Sequence, residues 1–536
     1  MTAGVVLGVQ SVPDGLATGL LAGLNPSAGL YGYMVGTATG ALVTSSTFMA
    51  VQGTGAMAMV IADVPGLSGP NAPRALVTLS LLTGAVMLVA GLLRLGSVLR
   101  FVSNAVMVGF INAVGVNIVL GQLANLTGYS ADGANRVVRA VNTLLRPDRM
   151  NAPTLAVGLA TMAIIVLLGR TRLGAMGLVI AVIATSAAAY IAGWEQVATL
   201  GDLGIELDSL PSFELPLLRS VPALIIPAVS LAFVGLVQGA GISATFPNPD
   251  GTYPDGSRDF VGQGAANIAS GVLQGMPVGG SVSASALNKE AGAQTRASLL
   301  TAAVVMAVVI VALGDAVANI AMPALAGLLM LIGIRTIKPG DLTTVWKAGN
   351  VQKVVLTVTF GLTMLVPLQY AVLIGVGLSI LLHVVRQSNQ VVVHRQVLEA
   401  DGHLVEVDPP AVLSPGDVVI LQPYGSLFFA AAPVIEAMLP AVGPHSSGSV
   451  VILRLRGRTD LGTTFMDVLH RYATALAAAD SKLVLSSVSD RVLEQLRVAG
   501  VTDVIAADDL YLGDERVGST LARVHDDALD WVVSRP

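Results

Sequence analysis

Apolar runs follow one another from residue 3 to about residue 385, separated by short polar breaks. They fall at 3–22, 28–45, 53–64, 75–93, 101–121, 152–169, 173–193, 220–240, 260–276, 282–291, 297–314, 318–334, 351–367 and 370–385. A helix needs about 20 apolar residues to cross a bilayer. Most runs reach or approach that length, but 53–64 and 282–291 fall well short. Each short run is third in a set of seven. Interruptions at matching places in two halves are the pattern of an inverted repeat, and an even count of spans puts both ends on one side. The pattern predicts an α-helical polytopic membrane protein of seven plus seven elements.

The two short runs have similar surroundings. Val278-Gly-Gly-Ser-Val-Ser-Ala-Ser-Ala-Leu287 lies between runs long enough to span, yet is itself too short and too polar to span. Val51-Gln-Gly-Thr-Gly-Ala-Met57 follows Thr44-Ser-Ser-Thr47 and likewise joins small polar residues to a short apolar run. Both read as helices that begin inside the membrane. Such a helix start presents unpaired N–H groups and the positive end of the helix dipole, so it favours an anion. Gln52, Gly53, Thr54, Gly55, Gly279, Gly280, Ser281 and Ser283 are therefore substrate-binding candidates. The competing reading is a pair of glycine loops that let membrane helices pack closely, with the hydroxyls as ordinary helix caps.

Composition agrees with lipid as the main solvent. Only 12% of the 536 residues are charged, against roughly 25% in a soluble domain, and the mean hydropathy is +0.75. There are no cysteines, which excludes disulfides, thiol catalysis and Cys-based metal sites. No histidine cluster has metal-like spacing, so neither a metal nor a cofactor is expected. The net charge of −5 gives no sign of nucleic-acid binding. The first apolar run lacks a basic leader and continues into further spans, so a cleavable signal peptide is not expected. Because the chain is already apolar at Ala3, any cytoplasmic N-terminal segment is expected to be missing or very short.

Basic residues set the orientation. With the N-terminus cytoplasmic, Arg94, Arg100, Arg170, Arg172, Lys289, Arg296, Arg335, Lys338, Lys347, Lys353 and Arg386 fall inside. Glu195, Asp202, Glu206, Asp208 and Glu214 fall outside, in the loop 194–219. The loop 122–150 resists this rule, because Arg136, Arg139, Arg146 and Arg149 would lie outside. It is long enough to hold an amphipathic helix.

Beyond residue 386 the pattern changes. Residues 387–414 read as a linker that includes a strand. Val418-Val-Ile-Leu421, Val450-Val-Ile-Leu453 and Lys482-Leu-Val-Leu485 read as buried strands, and 431–439, 464–479 and 490–499 as helices. Strands alternating with helices predict a small α/β domain over 415–536, cytoplasmic in this topology.

Several motifs resemble a known family. Val12-Pro-Asp-Gly-Leu-Ala17, Leu21-Ala-Gly-Leu-Asn-Pro26 and Gly29-Leu-Tyr31 are similar to the opening signature of the SulP anion transporters, the sulfate permease family. Gly55-Ala-Met57 matches its third segment. Asn267-Ile-Ala-Ser-Gly271, Gly275-Met-Pro-Val-Gly-Gly280, Asn288, Ala291-Gly292 and Thr295-Arg296 match its ninth and tenth. The C-terminal region is similar to the STAS domain that ends these proteins. The resemblance implies a transmembrane domain over 1–386 with core and gate subdomains, a homodimer in the plasma membrane, and an anion held between the N-termini of the third and tenth helices. It adds Thr18 to the substrate-binding set. Ser283 matches a serine that helps bind the anion in relatives, while Ala284 stands where they often have arginine.

Asp14 lies mid-span directly after Pro13. An ionised carboxylate there costs roughly 2.5–3.5 kcal/mol on insertion scales, which marks a functional group by default. Some bacterial family members carry an acid at this place that is tied to proton coupling. The alternative is a carboxylate simply satisfied by local donors. Gln238 stands where relatives have Glu or Asp for ion coupling and cannot titrate, so the coupling role falls to Asp14. Lys289 and Glu290 read as an interfacial pair, and His383 and His394 as interfacial residues. In Asp460-Leu-Gly-Thr-Thr464, Thr463 and Thr464 occupy the place where STAS domains are phosphorylated, though Thr463 also suits the N-cap of the helix that follows.

No nucleophile–base pair, ligand set or phosphate loop supports an enzyme. The resemblance and Asp14 together lead to a secondary transporter of small anions (sulfate-like, bicarbonate or dicarboxylate), with a proton as co-substrate. An uncoupled anion exchanger or anion channel is the alternative.

Overall fold

The structure is a computed structural model. It describes all residues except 97–102, 134, 172, 173, 175, 204–209, 389, 390, 399–402, 517, 535 and 536. Arg100, Arg172, Glu206 and Asp208 therefore lie outside the described residues, as do the side chains of His383 and Arg386. The chain forms two compact units, Met1–Ser379 and Ile380–Pro536.

The first unit is helical. Its elements are α1 (Thr2–Leu21), α2 (Pro26–Val43), β1 (Ala50–Gln52), α3 (Gly55–Ala62), α4 (Ala72–Leu92), α5 (Asn104–Thr127), α6 (Arg136–Leu144), α7 (Ala152–Leu168), α8 (Met176–Ile191), α9 (Val221–Thr245), α10 (Gly256–Val272), β2 (Gly279–Ser281), α11 (Val282–Glu290), α12 (Ala297–Ala318), α13 (Met322–Thr336), α14 (Pro339–Lys347), α15 (Asn350–Leu365) and the first part of α16 (Leu368–Ser388). All fourteen apolar runs are helices here. The other two helices, α6 and α14, are the short amphipathic ones. Among the described residues, six helices are apolar and long enough to cross a membrane, and four apolar helices are shorter.

Helices α1–α4 pack with α9–α12 into one bundle, and α5, α7, α8, α13 and α15 into another. Small residues let backbones approach within and between them, as usual where lipid gives helices no hydrophobic reason to associate. A Cβ on Gly29 would sit 2.1 Å from the Gly15 carbonyl oxygen, and one on Gly115 would sit 2.8 Å from that of Gly333. The loop that resisted the charge rule holds α6. Its Arg136 pairs with Asp63 at 2.6 Å, while Arg139, Arg146 and Arg149 are exposed.

The second unit is a six-stranded sheet in the order β4-β3-β5-β6-β7-β8. Its strands are β3 (Val392–Leu398), β4 (Leu404–Val407), β5 (Val418–Tyr424), β6 (Val450–Arg454), β7 (Lys482–Val488) and β8 (Leu510–Leu512). The strands β5 to β8 are parallel, and β3 joins β5 and β4 antiparallel. Two strands thus lie in the stretch read as a linker. Helices α17 (Ala432–Glu436), α18 (Thr463–Ala478) and α19 (Asp490–Val498) cover one face, and α20 (Ser519–Val533) covers the other. The run Val450–Arg454 is buried throughout, as a strand covered on both faces must be.

One cap differs from the sequence reading. Gly462, not Thr463, caps α18. A Cβ at 462 would lie 3.1 Å from both the Leu427 carbonyl oxygen and the Phe428 Cα, so the tight crossing selects glycine. Thr463 becomes the first helical residue and is exposed, while Thr464 is half-buried.

Candidate functional site

The two short helices start from opposite ends of one buried strand pair. Just ahead of them β1 and β2 pair antiparallel, with Ala50 opposite Ser281, Val51 opposite Gly280 and Gln52 opposite Gly279. Both strands are fully buried. This pairing satisfies backbone groups of buried chain that is not helical. Only then does each chain turn into its helix. Thr54 caps α3, accepting from the Met57 N–H at 3.3 Å, and Ser281 caps α11, accepting from the Ala284 N–H at 3.4 Å. Two positive helix ends therefore flank one short strand pair.

Helix α10 holds β2 in place. The Asn267 side chain accepts from the Val278 N–H at 2.9 Å and donates to the Val278 carbonyl at 2.6 Å. One turn earlier, the Gln263 amide oxygen accepts from the Gly280 N–H at 2.9 Å. Gly279 and Gly280 lie against Gly235 and Gly239 of α9, where added Cβ atoms would come within 2.7 Å of backbone. The approach to β1 is held by a buried carboxylate. Asp259 accepts from the Ser45 N–H at 2.6 Å, the Ser46 N–H at 3.2 Å and the Ser243 hydroxyl at 2.6 Å. Ser285 ties the two halves together, donating to the Ser281 carbonyl and accepting from the Ala50 N–H.

The candidate residues divide by location. Gln52 is buried, and its amide donates to Ser11 at 3.0 Å and Thr37 at 3.1 Å while its oxygen has no partner among the described residues. Gly53 is pressed against Tyr33, Thr18 and Met276, and Gly55 against Ile118 of α5. Ser283 is exposed, 3.4 Å from the Ser281 hydroxyl. Thr18 is buried beside the start of α3 and donates to the Asp14 carbonyl at 2.6 Å. The Asp14 carboxylate accepts from the Tyr33 hydroxyl at 3.2 Å. Gln238 sits on α9 beside the glycines that meet β2, and its oxygen lacks a partner among the described residues.

Lys289 and Glu290 do not form an ion pair among the described residues. Lys289 instead lies over the Phe246 and Phe48 rings, at 5.0 and 5.8 Å.

Known proteins can now be set beside this geometry. The model of the sulfate permease family matches residues 1–359, and that of the STAS domain matches 409–520. The chain belongs to the sulfate permease family. It is similar to a probable sulfate transporter of Mycobacterium tuberculosis strain H37Rv, with 26% identity over 525 residues, 95% of this chain and 92% of that protein. Likeness extends to the bicarbonate transporter BicA of a Picosynechococcus strain, 25% identical over 82% of this chain and 80% of that one. Among solved structures, the murine solute carrier 26 family member A9 anion transporter in its inward-facing state covers 99% of this chain, with 91% of its own length, TM-score 0.85 and 18% identity. The transmembrane domain of a cyanobacterial BicA covers 70% of this chain, with 96% of its own length, TM-score 0.59 and 22% identity. At these identities the solved structures show the fold: family membrane architecture followed by a STAS domain.

The sequence reading missed Tyr33, Ser11, Thr37, Asp259 and Gln263 as parts of this region. A signal existed for two pairs of positions. Gln263 and Asn267 stand four apart on one helix face, and Ser11 and Thr37 are polar positions inside apolar runs.

Proposed function

We propose that this chain is a secondary active transporter of small anions, coupled to protons through Asp14. The observation that carries the reading is that two helix N-termini flank the buried β1–β2 pair. Their caps and free N–H groups suit an anion's oxygens. Names of relatives in the family give sulfate and bicarbonate as the class of cargo. The anion would sit among Gln52, Gly53, Thr54, Gly55, Gly279, Gly280, Ser281, Ser283 and Thr18.

Asp14 supports the coupling. Its carboxylate is tied through Tyr33 to the backbone that leads into α3. An ionised Asp14 repels an anion held at the start of α3. Protonating Asp14 removes that repulsion, so proton and anion bind more tightly together than apart, and each raises the other's affinity equally. Gln238 cannot share this task. The same reading puts the STAS domain and both termini in the cytoplasm of a plasma-membrane homodimer.

Asp14→Asn tests it in proteoliposomes. Anion-driven acidification should disappear, while counterflow of labelled anion persists at least in part. Continued acidification in step with uptake would remove Asp14 from the proton path. Counterflow separates a carrier from a channel, which shows no trans-stimulation.

A further inference from the structure

We propose that Tyr33 is the residue that positions Asp14 and sets the pH at which it exchanges its proton. The proposal rests on the coupling role given to Asp14 above. The hydroxyls around Asp14 have a fixed supply of protons. Thr18 has one, and it goes to the Asp14 backbone carbonyl at 2.6 Å. Thr18 can therefore only accept across its 2.9 Å contact with the Tyr33 hydroxyl. Tyr33 also has one proton, with two acceptors in reach: Thr18 at 2.9 Å and the Asp14 carboxylate at 3.2 Å.

The direction of that proton follows the state of Asp14. When Asp14 is ionised, Tyr33 donates to it. When Asp14 is protonated, its own O–H donates to the Tyr33 oxygen, and the Tyr33 proton turns to Thr18. Both states are fully hydrogen-bonded without movement of a heavy atom. The ring is held to make this so. It is buried, with a Gly53 Cβ position 3.0 Å from its edge and a Gly15 Cβ position 3.3 Å from Cγ. Tyr33 therefore stands between the acid on α1 and the chain entering α3, and only its proton reorients.

The titratable and charged groups on the elements packed against α1 are Tyr31 and Tyr33 on α2, Tyr190 on α8, Lys289 and Glu290 on α11, Asp315 on α12 and Arg335 on α13. Among the described residues, the hydrogen bond to the Asp14 carboxylate comes from Tyr33.

The test is an infrared titration of the full chain in detergent, following the protonated-carboxyl band that vanishes in Asp14→Asn. Tyr33→Phe keeps the ring and removes the donor to the ionised state, so its midpoint should rise by about one unit or more. Thr18→Val removes the acceptor needed by the protonated state, so its midpoint should fall. Opposite shifts support the proposal. Midpoints equal to wild type in both folded variants overturn it, as does a shift of the same sign in both. If Asp14 titrates as described but sulfate, chloride and bicarbonate stabilise the protein equally at every pH, the coupling reading fails while the role of Tyr33 stands.

Discussion

Gly280 has no room for a side chain. A methyl there would meet the Gly239 Cα at 2.7 Å and its nitrogen at 3.0 Å. Backbone cannot step aside as a side-chain tip can, so Gly280→Ala should cost about 1–3 kcal/mol or more and push β2 off its register. At Gly55 the nearest obstacle is the Ile118 Cδ1 tip at 2.9 Å, which can rotate. Gly55→Ala should therefore be the milder change. Melting temperatures in detergent check this order, and an equal or larger loss for Gly55→Ala would refute it. At this scale the sequence was informative about glycines and hydroxyls beside a short apolar run. It was silent on partners, because Asp14 and Tyr33 are nineteen positions apart, and Ser45 and Asp259 are 214 apart. Local pattern cannot report such contacts.

The elements were more legible than their joins. Each apolar run became a helix because hydropathy and length alone identify a span. The three-residue strands β1 and β2 were not visible, since three positions are too few to display a period of two. In the second unit β3 and β4 were obscured by polar composition, and β4 is exposed along its whole length. That edge gives a pH prediction. Tyr424 donates to Glu406 and holds this carboxyl below its ordinary range. A lowered carboxyl contributes stability above its unfolded value, near 4.3, and loses it as pH falls through the folded value. Tyr424→Phe should therefore speed amide exchange across Leu404–Val407 at neutral pH. Wild type and variant should converge in acid. A difference that persists unchanged into acid would point to packing of the Tyr424 ring instead.

At the scale of the whole molecule, the α/β unit holds its own buried clusters, with Val391 and Val393 within one of them. A fragment that begins at 391 should fold more stably than one that begins at 415, because the shorter one bares the edge of β5 and part of that cluster. Urea midpoints of the two fragments decide it. Equal midpoints would make β3 dispensable. A chain cut after Arg386 should still bind anions, since every candidate side chain lies in the first unit.

Asp63 joins the far end of α3 from the candidate site to α6 and to the start of α16. One oxygen takes Arg136 at 2.6 Å, and the other takes the Leu368 N–H at 3.0 Å. In the next residue, the Gln369 carbonyl accepts from Ser230 of α9. These bonds act as a clasp on the first turn of α16, and any sliding of α3 and α9 past it must undo them. Nearby is a cavity of about 250 Å³ lined in part by Ala62, Arg136, Arg139 and Ala140. The chain has no native thiol, so Ala140→Cys would be a lone chemical reporter of that crevice. Asp63→Asn keeps an acceptor for Leu368 but gives up the charge that holds Arg136. The clasp should then spend more time open, and a water-soluble maleimide should reach position 140 several-fold faster than in the Asp63 background.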